Sequence, residues 1–483
     1  VAASDRRVNR PQARAKGTDL SMVMGAGTTH ARGSDARRWF PSAWFVVIFW
    51  VAVTVNGAIM LWLWLRDGGI TQLHSASDLW TSAGRVTGLL GAYLALLQVL
   101  LLARLPPLER QIGFDRLTVW HRRNGKLVIY LVVAHVVLIT VGYAGGVHIS
   151  VWDQFSQFLS TYPGMITATI GTAMMIAIVI SSIVIVRRRL PYEAWYGMHV
   201  TLYAAIFLAY LHQIPSGNEF LTSTSQSDWW IAMYVLTLAL VLVYRVLRPA
   251  IGVLRHRLRV IEVRRETHDT VSILIAGRQL DRLHATAGQF MLWRFLSSKL
   301  WWQSHPFSLS AAPDGRSLRI TVKAVGGFTR ELAQIQPGTR VITEGPFGRF
   351  IASRSRQERV TLIAGGIGVT PLRAILEELS GPPGSISFIH RVVAEADLVF
   401  RDELKALATE RGAALHHLIG DHRDPSAAGL LSPEKLRELV PEIAASDVFL
   451  CGPPPMMKHT RASLEAAGVP RRQVHSERFA LAA

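Results

Sequence analysis

Six apolar runs, at residues 44–65, 86–103, 127–143, 165–186, 195–211 and 229–247, are long enough to cross a hydrocarbon core and confine much of this chain to lipid. Basic clusters at Arg37/Arg38, 104–126, 187–189 and 245–259 alternate with segments 67–84, 144–163 and 213–228, which carry no Lys or Arg. The positive-inside rule then predicts a six-helix bundle, a multi-pass protein of the cell (plasma) membrane with both termini cytoplasmic. Residues 1–40 are rich in Arg, Ala and Gly without an apolar core, so they read as a disordered cytoplasmic tail rather than a cleavable signal.

Composition narrows the chemistry. The chain has 483 residues, 50% of them hydrophobic, with a mean hydropathy of +0.25. Its net charge of +18 comes from arginines beside the apolar runs, which explains it by orientation and implies no nucleic-acid partner. A single cysteine, Cys451, excludes an internal disulfide and a four-cysteine iron–sulfur cluster supplied by this chain.

Four histidines stand in or beside two of the runs: His121 and His135, 14 positions apart, and His199 and His212, 13 apart. In an inside-to-outside direction for both helices, His121 and His199 share the cytoplasmic level while His135 and His212 share the outer one. At ~1.5 Å per residue the two levels are roughly 20 Å apart, and four costly intramembrane imidazoles at two matched depths point to ligands for two stacked haems. One detail resists a straight helix: at ~100° per residue, 14 positions return within ~40° of the same face, but 13 land ~140° away. A kink, a tightened turn or different approach directions are needed around His199 and His212. Arg85, at the outer boundary of the second run, suits either a haem propionate or a snorkelling interfacial role.

After residue 255 the pattern changes to short alternating strands at 258–263, 271–276 and 318–322, predicting an antiparallel β-barrel domain over 255–355. From 356 to 483, strand-like VTLIAGG, ISFIHR and DVFLCGP alternate with helical stretches, predicting an α/β nucleotide-binding domain. In VTLIAGGIGVTP (360–371) a strand runs into Gly365, Gly366 and Gly368, and Thr370-Pro371 opens a helix. Such a turn lets backbone approach a pyrophosphate, whose charge the helix N-terminus stabilises.

His305-Pro306-Phe307-Ser308, the segment from Lys323 through Gly326-Gly327-Phe328-Thr329, Glu344–Gly348 and Cys451-Gly452-Pro453, in that order, resemble the ferredoxin-reductase-type flavoprotein module. The resemblance implies FAD contacts at His305, Pro306, Phe307 and Ser308, with Lys323, Gly327, Phe328 and Thr329 toward its phosphates. It implies that Gly365, Gly366, Gly368 and Thr370 hold the nicotinamide nucleotide, with Cys451, Gly452 and Pro453 beside its reacting ring and Phe479 over the flavin. Cys451 and Thr370 are thus the residues nearest the chemistry, although an apolar strand offers Cys451 no base, so its expected role is positional. Arg391 ends the ISFIHR strand where no acidic residue stands, favouring NADPH over NADH, with Arg401 as a helper or a partner of Asp402 or Glu403.

With the 41–250 bundle in front, the chain is similar to the ferric reductase and NADPH oxidase superfamily, in which spacings of 14 and 13 serve two bis-histidine haem b groups. That resemblance implies a transmembrane NAD(P)H-dependent flavohaem oxidoreductase that carries electrons outward to a small-molecule acceptor, ferric iron or dioxygen. A quinone or protein acceptor, and a haem-based redox sensor, are the alternatives. The outer segments hold His74, His148, Asp153 and Glu219, too sparse a set to specify an iron-chelate site.

Overall fold

A computed structural model describes residues 43–182, 192–221, 223–421, 423–427 and 429–477; the expected tail, the 187–189 cluster and Phe479 lie outside them. The membrane half comprises α1 (Ala43–Arg66), α2 (Ala76–Leu101), α3 (Pro106–Ile112), α4 (Phe114–Val147), α5 (Val151–Thr161), α6 (Met165–Ser181), α7 (Tyr192–Val200), α8 (Leu202–Tyr210) and α9 (Thr224–Val241). A π-helical segment, Leu242–Leu247, continues α9 into α10 (Arg248–His256). Ser75 caps α2, its hydroxyl accepting from Asp78 N, and Ser150 caps α5 in the same way.

Among the described residues five helices are long and apolar enough to span a membrane, or six if α5 and α6, which meet at a 117° bend, count as one span. The turn at Tyr162-Pro163-Gly164 makes that bend, with Gly164 at φ +77. A methyl group on Gly164 would lie 2.8 Å from Leu211 O, so glycine there also lets the turn approach the end of α8. Helices α2 and α4 pack against each other through small residues. Methyl groups on Gly84, Gly142 and Gly145 would fall 2.7, 2.3 and 2.5 Å from Ile139, Thr81 and Ser77 respectively.

The flavin-type half is two three-stranded antiparallel sheets, not the continuous barrel expected. Strands β1 (Arg259–Arg265), β2 (Thr270–Ala276) and β5 (Ser317–Lys323) form one in the order β1-β2-β5. β3 (Phe290–Phe295), β4 (His305–Ser308) and β6 (Val341–Phe347) form the other in the order β4-β3-β6. Register shifts at Val260/Glu262 and Phe290/Leu292, with Pro306 withholding a donor from β4, leave single bridges at Arg259–Arg340 and Leu309–Ile320 between the sheets. Trp293, Phe295, Met291, Ile273 and Ile320 fill the space they enclose. A short helix, α11 (Gly327–Leu332), follows β5.

The last domain is a parallel sheet ordered β11-β10-β7-β8-β9, comprising β7 (Arg359–Gly365), β8 (Ile386–Val392), β9 (Ala414–Ile419), β10 (Ser446–Cys451) and β11 (Val474–Glu477). Helices α12 (Val369–Glu378), α13 (Arg401–Arg411), α14 (Pro433–Leu439) and α15 (Pro454–Ala466) accompany it, and separate apolar clusters cover its two faces. Arg319 of β5 donates to Glu403 of α13 at 2.9 and 3.1 Å, Arg373 of α12 reaches the same carboxylate at 2.5 Å, and Ala312 N donates to Glu377 at 2.7 Å. These charge-assisted bonds fix the angle between the two soluble domains.

Candidate functional site

Helix α4 is unbroken, so His121 and His135 project from nearly one face of a single rod. Each is aimed by α2: His121 Nδ1 donates to Gln98 O at 3.0 Å and His135 Nδ1 donates to Gly84 O at 2.7 Å. That leaves both Nε2 atoms free for a metal, the arrangement by which outer partners orient ligating imidazoles. The partner histidines solve the awkward spacing by a break. α7 ends at Val200, Thr201 N turns tightly onto Met198 O at 3.1 Å, and α8 starts at Leu202. His199 therefore sits before the break and His212 beyond the end of α8, and each faces one histidine of α4.

The ring centroids of His121 and His199 are 6.0 Å apart, and those of His135 and His212 are 6.4 Å apart. A metal bound by both rings needs about 2 Å to each nitrogen and about 1.1 Å more to each ring centre, or about 6.2 Å in all. Both pairs fit an iron with two axial imidazoles. Trp195 stacks on the His199 ring at 4.9 Å and is itself held by Ser182.

Gly84, Gly88 and Gln98, absent from the sequence expectations, complete this arrangement. A methyl group on Gly88 would lie 2.5 Å from His135 Nδ1, so only glycine admits that imidazole. The signal was visible as the four-residue spacing of Gly84 and Gly88. Arg85 donates through Nε to Glu219 at 2.7 Å and through Nη2 to Asp67 O at 3.0 Å. It is engaged by protein groups, and Glu219, 3% exposed, is an internal counter-ion rather than an outer-loop ligand.

In the flavin-type domain the fold brings the two expected segments together. His305 stacks on Phe328 at 3.8 Å, and Phe307 is parallel to Phe328 within 17° at 6.3 Å. Ser308 Oγ is buried with no hydrogen-bond partner among the described residues, an orphan that a flavin polar atom would satisfy. Pro306 pairs opposite Leu292, and Gly327 opens onto space that a Cβ would not find occupied. Thr329 Oγ1 accepts from Gly326 N at 2.9 Å, shaping the start of α11. Lys323 is held elsewhere, by Asp269 at 3.2 Å and Asp397 at 3.6 Å, so two carboxylates already claim its ammonium.

The three turn glycines divide by role. A methyl on Gly365 would meet Met456 Sδ at 2.1 Å, and one on Gly368 would meet Cys451 O at 2.3 Å, so Gly365 serves packing against the first turn of α15 and Gly368 against the end of β10. Gly366, at φ +50 with open space before it, is the one that leaves backbone accessible to a phosphate at the start of α12. Thr370 is buried and its hydroxyl donates to Ile367 O at 3.0 Å. Gly452 lies against Gly365, and Pro453 precedes α15. Arg391 donates to Val392 O and, at 3.4 Å, to Leu418 O, while Arg401 pairs with Glu395 at 2.8 Å, not with Asp402 or Glu403.

Cys451 is fully buried, and burial pushes its thiol well above the usual range, as does the nearby Glu477. With one cysteine in the chain, a thiol reagent at pH 8 is expected to label less than a tenth of the folded protein within an hour and all of it in denaturant. Rapid labelling of the folded protein would remove the positional role.

The FAD-binding domain family matches residues 255–350, the oxidoreductase NAD-binding domain family 362–462, and the ferric reductase like transmembrane component 87–210. A flavohemoprotein of Pseudomonas aeruginosa is 34% identical over 186 residues, covering 37% of this chain and 47% of that protein. The ferredoxin reductase component of 3-ketosteroid-9-alpha-monooxygenase from Mycolicibacterium smegmatis is 32% identical over 236 residues, 46% of this chain and 65% of that one. The chain spans about half the length of the flavohemoproteins it matches. A crystal structure of a ferredoxin NADP+ reductase from Neisseria gonorrhoeae with bound FAD and NADP overlays 46% of this chain and 98% of its own at 21% identity and a TM-score of 0.39. The chain thus joins a ferric reductase-like transmembrane component to FAD-binding and oxidoreductase NAD-binding domains, a combination similar to that of the ferric reductase and NADPH oxidase superfamily.

Proposed function

We propose that this protein moves electrons from cytoplasmic NADPH across the plasma membrane to a small-molecule acceptor, ferric iron or dioxygen, on the outer face. The observation that carries the reading is the pair of facing imidazole pairs at 6.0 and 6.4 Å, set at two levels of one continuous helix. When bound, NADPH would supply a hydride, FAD would split it into single electrons, and two haem b groups would carry these between the membrane faces.

His121 and His199 would hold the inner haem and His135 and His212 the outer one, and groups held by two imidazoles each would supply electron transfer rather than oxygen binding. Ser308 and the Gly327 segment would bind FAD, with His305 and Phe307 against its ring. Gly366 and the N-terminus of α12 would bind the dinucleotide pyrophosphate, while Arg391 at the end of β8 favours a 2′-phosphate. The Cys451–Pro453 turn, buried at Cys451 and Gly452, would position the nicotinamide.

The test uses inside-out vesicles given NADPH outside, with a ferric chelate or a superoxide probe in the lumen. Wild type is expected to reduce one lumenal probe, whereas His135→Ala loses at least nine-tenths of that signal yet keeps NADPH-dependent flavin reduction. Equal lumenal reduction by both proteins would overturn the outward route.

A further inference from the structure

The connection between α2 and α4 carries an arginine whose placement packing alone does not explain. Arg104 has φ +66, a left-handed conformation that strains a non-glycine residue. Its side chain is almost entirely buried, and Nε and Nη1 have no hydrogen-bond partner among the described residues. An aliphatic side chain would avoid that desolvation cost.

The aromatic rings around it account for a guanidinium here. Its carbon lies 4.8 Å from the ring centre of Phe114 and 4.6 Å from that of Phe347, and these two rings are 6.3 Å apart at 28°. Arg lends itself to such stacking in a way that Lys does not. Glu109 Oε1 stands 3.6 Å from Nη1 as counter-ion, and Arg349 Nη1 donates to Gln111 O at 2.5 Å beside it.

The rings belong to different domains. Phe114 opens α4, seven residues or ~10 Å before His121, whereas Phe347 ends β6 in the flavin-type domain. Phe347 also packs on Phe290 of β3 at 5.8 Å. On the membrane side, Tyr244 of the π-helical segment joins Leu101, Leu105, Leu108 and Leu117 in one apolar cluster around this loop. A strained, buried cation thus joins the base of the inner-histidine helix to the flavin-type sheet.

We propose that Arg104, set against both Phe114 and Phe347, is a positioning residue that docks the flavin domain beneath the inner histidine pair and sets the flavin-to-haem distance. The proposal rests on the di-haem, FAD-dependent reading given above. It assigns Arg104 no part in binding NADPH or in reducing flavin.

Full-length protein in lipid nanodiscs, loaded with its cofactors, is compared as wild type, Arg104→Met and Arg104→Lys. Anaerobic stopped flow follows flavin bleaching by NADPH and then the Soret change. Amide hydrogen exchange follows segments 103–112 and 344–349, with and without cofactors. In Arg104→Met, flavin bleaching is expected within twofold of wild type, the following Soret change at least tenfold slower, and exchange at 344–349 at least tenfold faster. Arg104→Lys falls between them.

Unchanged exchange at 344–349, or an unchanged Soret step, would overturn the proposal, as would equal slowing of both kinetic steps. If Arg104→Met does not fold, Phe114→Leu is expected to give the same split between the two steps. Should wild type carry no haem, the di-haem reading fails instead, and the exchange comparison still decides whether Arg104 docks the domains.

Discussion

Replacing Gly88 with valine is expected to remove about half of the haem from the purified protein while the other half keeps a bis-imidazole spectrum. A methyl group at this position would lie 2.5, 2.7 and 3.0 Å from three atoms of the His135 ring. The ring cannot turn aside freely, because its Nδ1 donates to Gly84 O at 2.7 Å on the same helix. Overpacking costs about 1–3 kcal/mol and an orphaned buried donor about as much again, so outer-haem affinity should fall on the order of a hundredfold or more. Gly88→Ala should be intermediate. Gly91→Ala is the control, since its methyl would sit at an ordinary 3.4 Å from Leu131 and Val132. Haem per protein by pyridine haemochrome, with the Soret band for ligation, reads the outcome; two haems retained in Gly88→Val would show that His135 is not a ligand.

The contrast between His135 and Gly88 shows what a sequence of this kind exposes. Intramembrane histidines are rare and costly, so two pairs at matched depths stood out without any structure. Their supporting glycines did not, because glycines are also common in membrane helices as plain packing residues. The break that reconciles the 13-residue spacing falls at Thr201, where neither Pro nor Gly marks it. The bend before α6 does fall at a Pro-Gly pair, Pro163-Gly164, while α5 lies within the 144–163 segment, too short and mixed to stand out as an apolar run.

Long-range pairing hid the rest. Arg85 finds Glu219, 134 positions away, and Lys323 finds carboxylates from two domains, pairings that no local sequence pattern shows. The alternating strands were legible, but their register shifts were not, and these separate the flavin-type domain into two sheets. A glycine-rich turn likewise does not announce which of its glycines face a ligand. Packing against Cys451 and Met456 claims two of the three in the nucleotide turn.

That division of roles yields opposite phenotypes for two neighbouring substitutions. Gly368→Ala is expected to damage the fold, because its methyl would lie 2.3 Å from Cys451 O and 2.8 Å from Gly452 N, backbone atoms that cannot move aside without separating β7 from β10. A loss of about 2–3 kcal/mol follows from such overpacking, read as a lower midpoint in thermal or urea unfolding of the soluble domains. Gly366→Ala meets nothing within 4 Å and carries only the left-handed backbone cost of about 1 kcal/mol at φ +50. Its methyl, however, occupies the space through which a pyrophosphate would reach the start of α12. NADPH-dependent ferricyanide reduction by the solubilised protein should therefore show KM raised at least tenfold in Gly366→Ala, with flavin content unchanged. In Gly368→Ala the loss of activity should track the loss of folded protein. An unaltered KM in Gly366→Ala would mean that the nucleotide does not cross this turn, and that the open face of Gly366 serves the backbone alone.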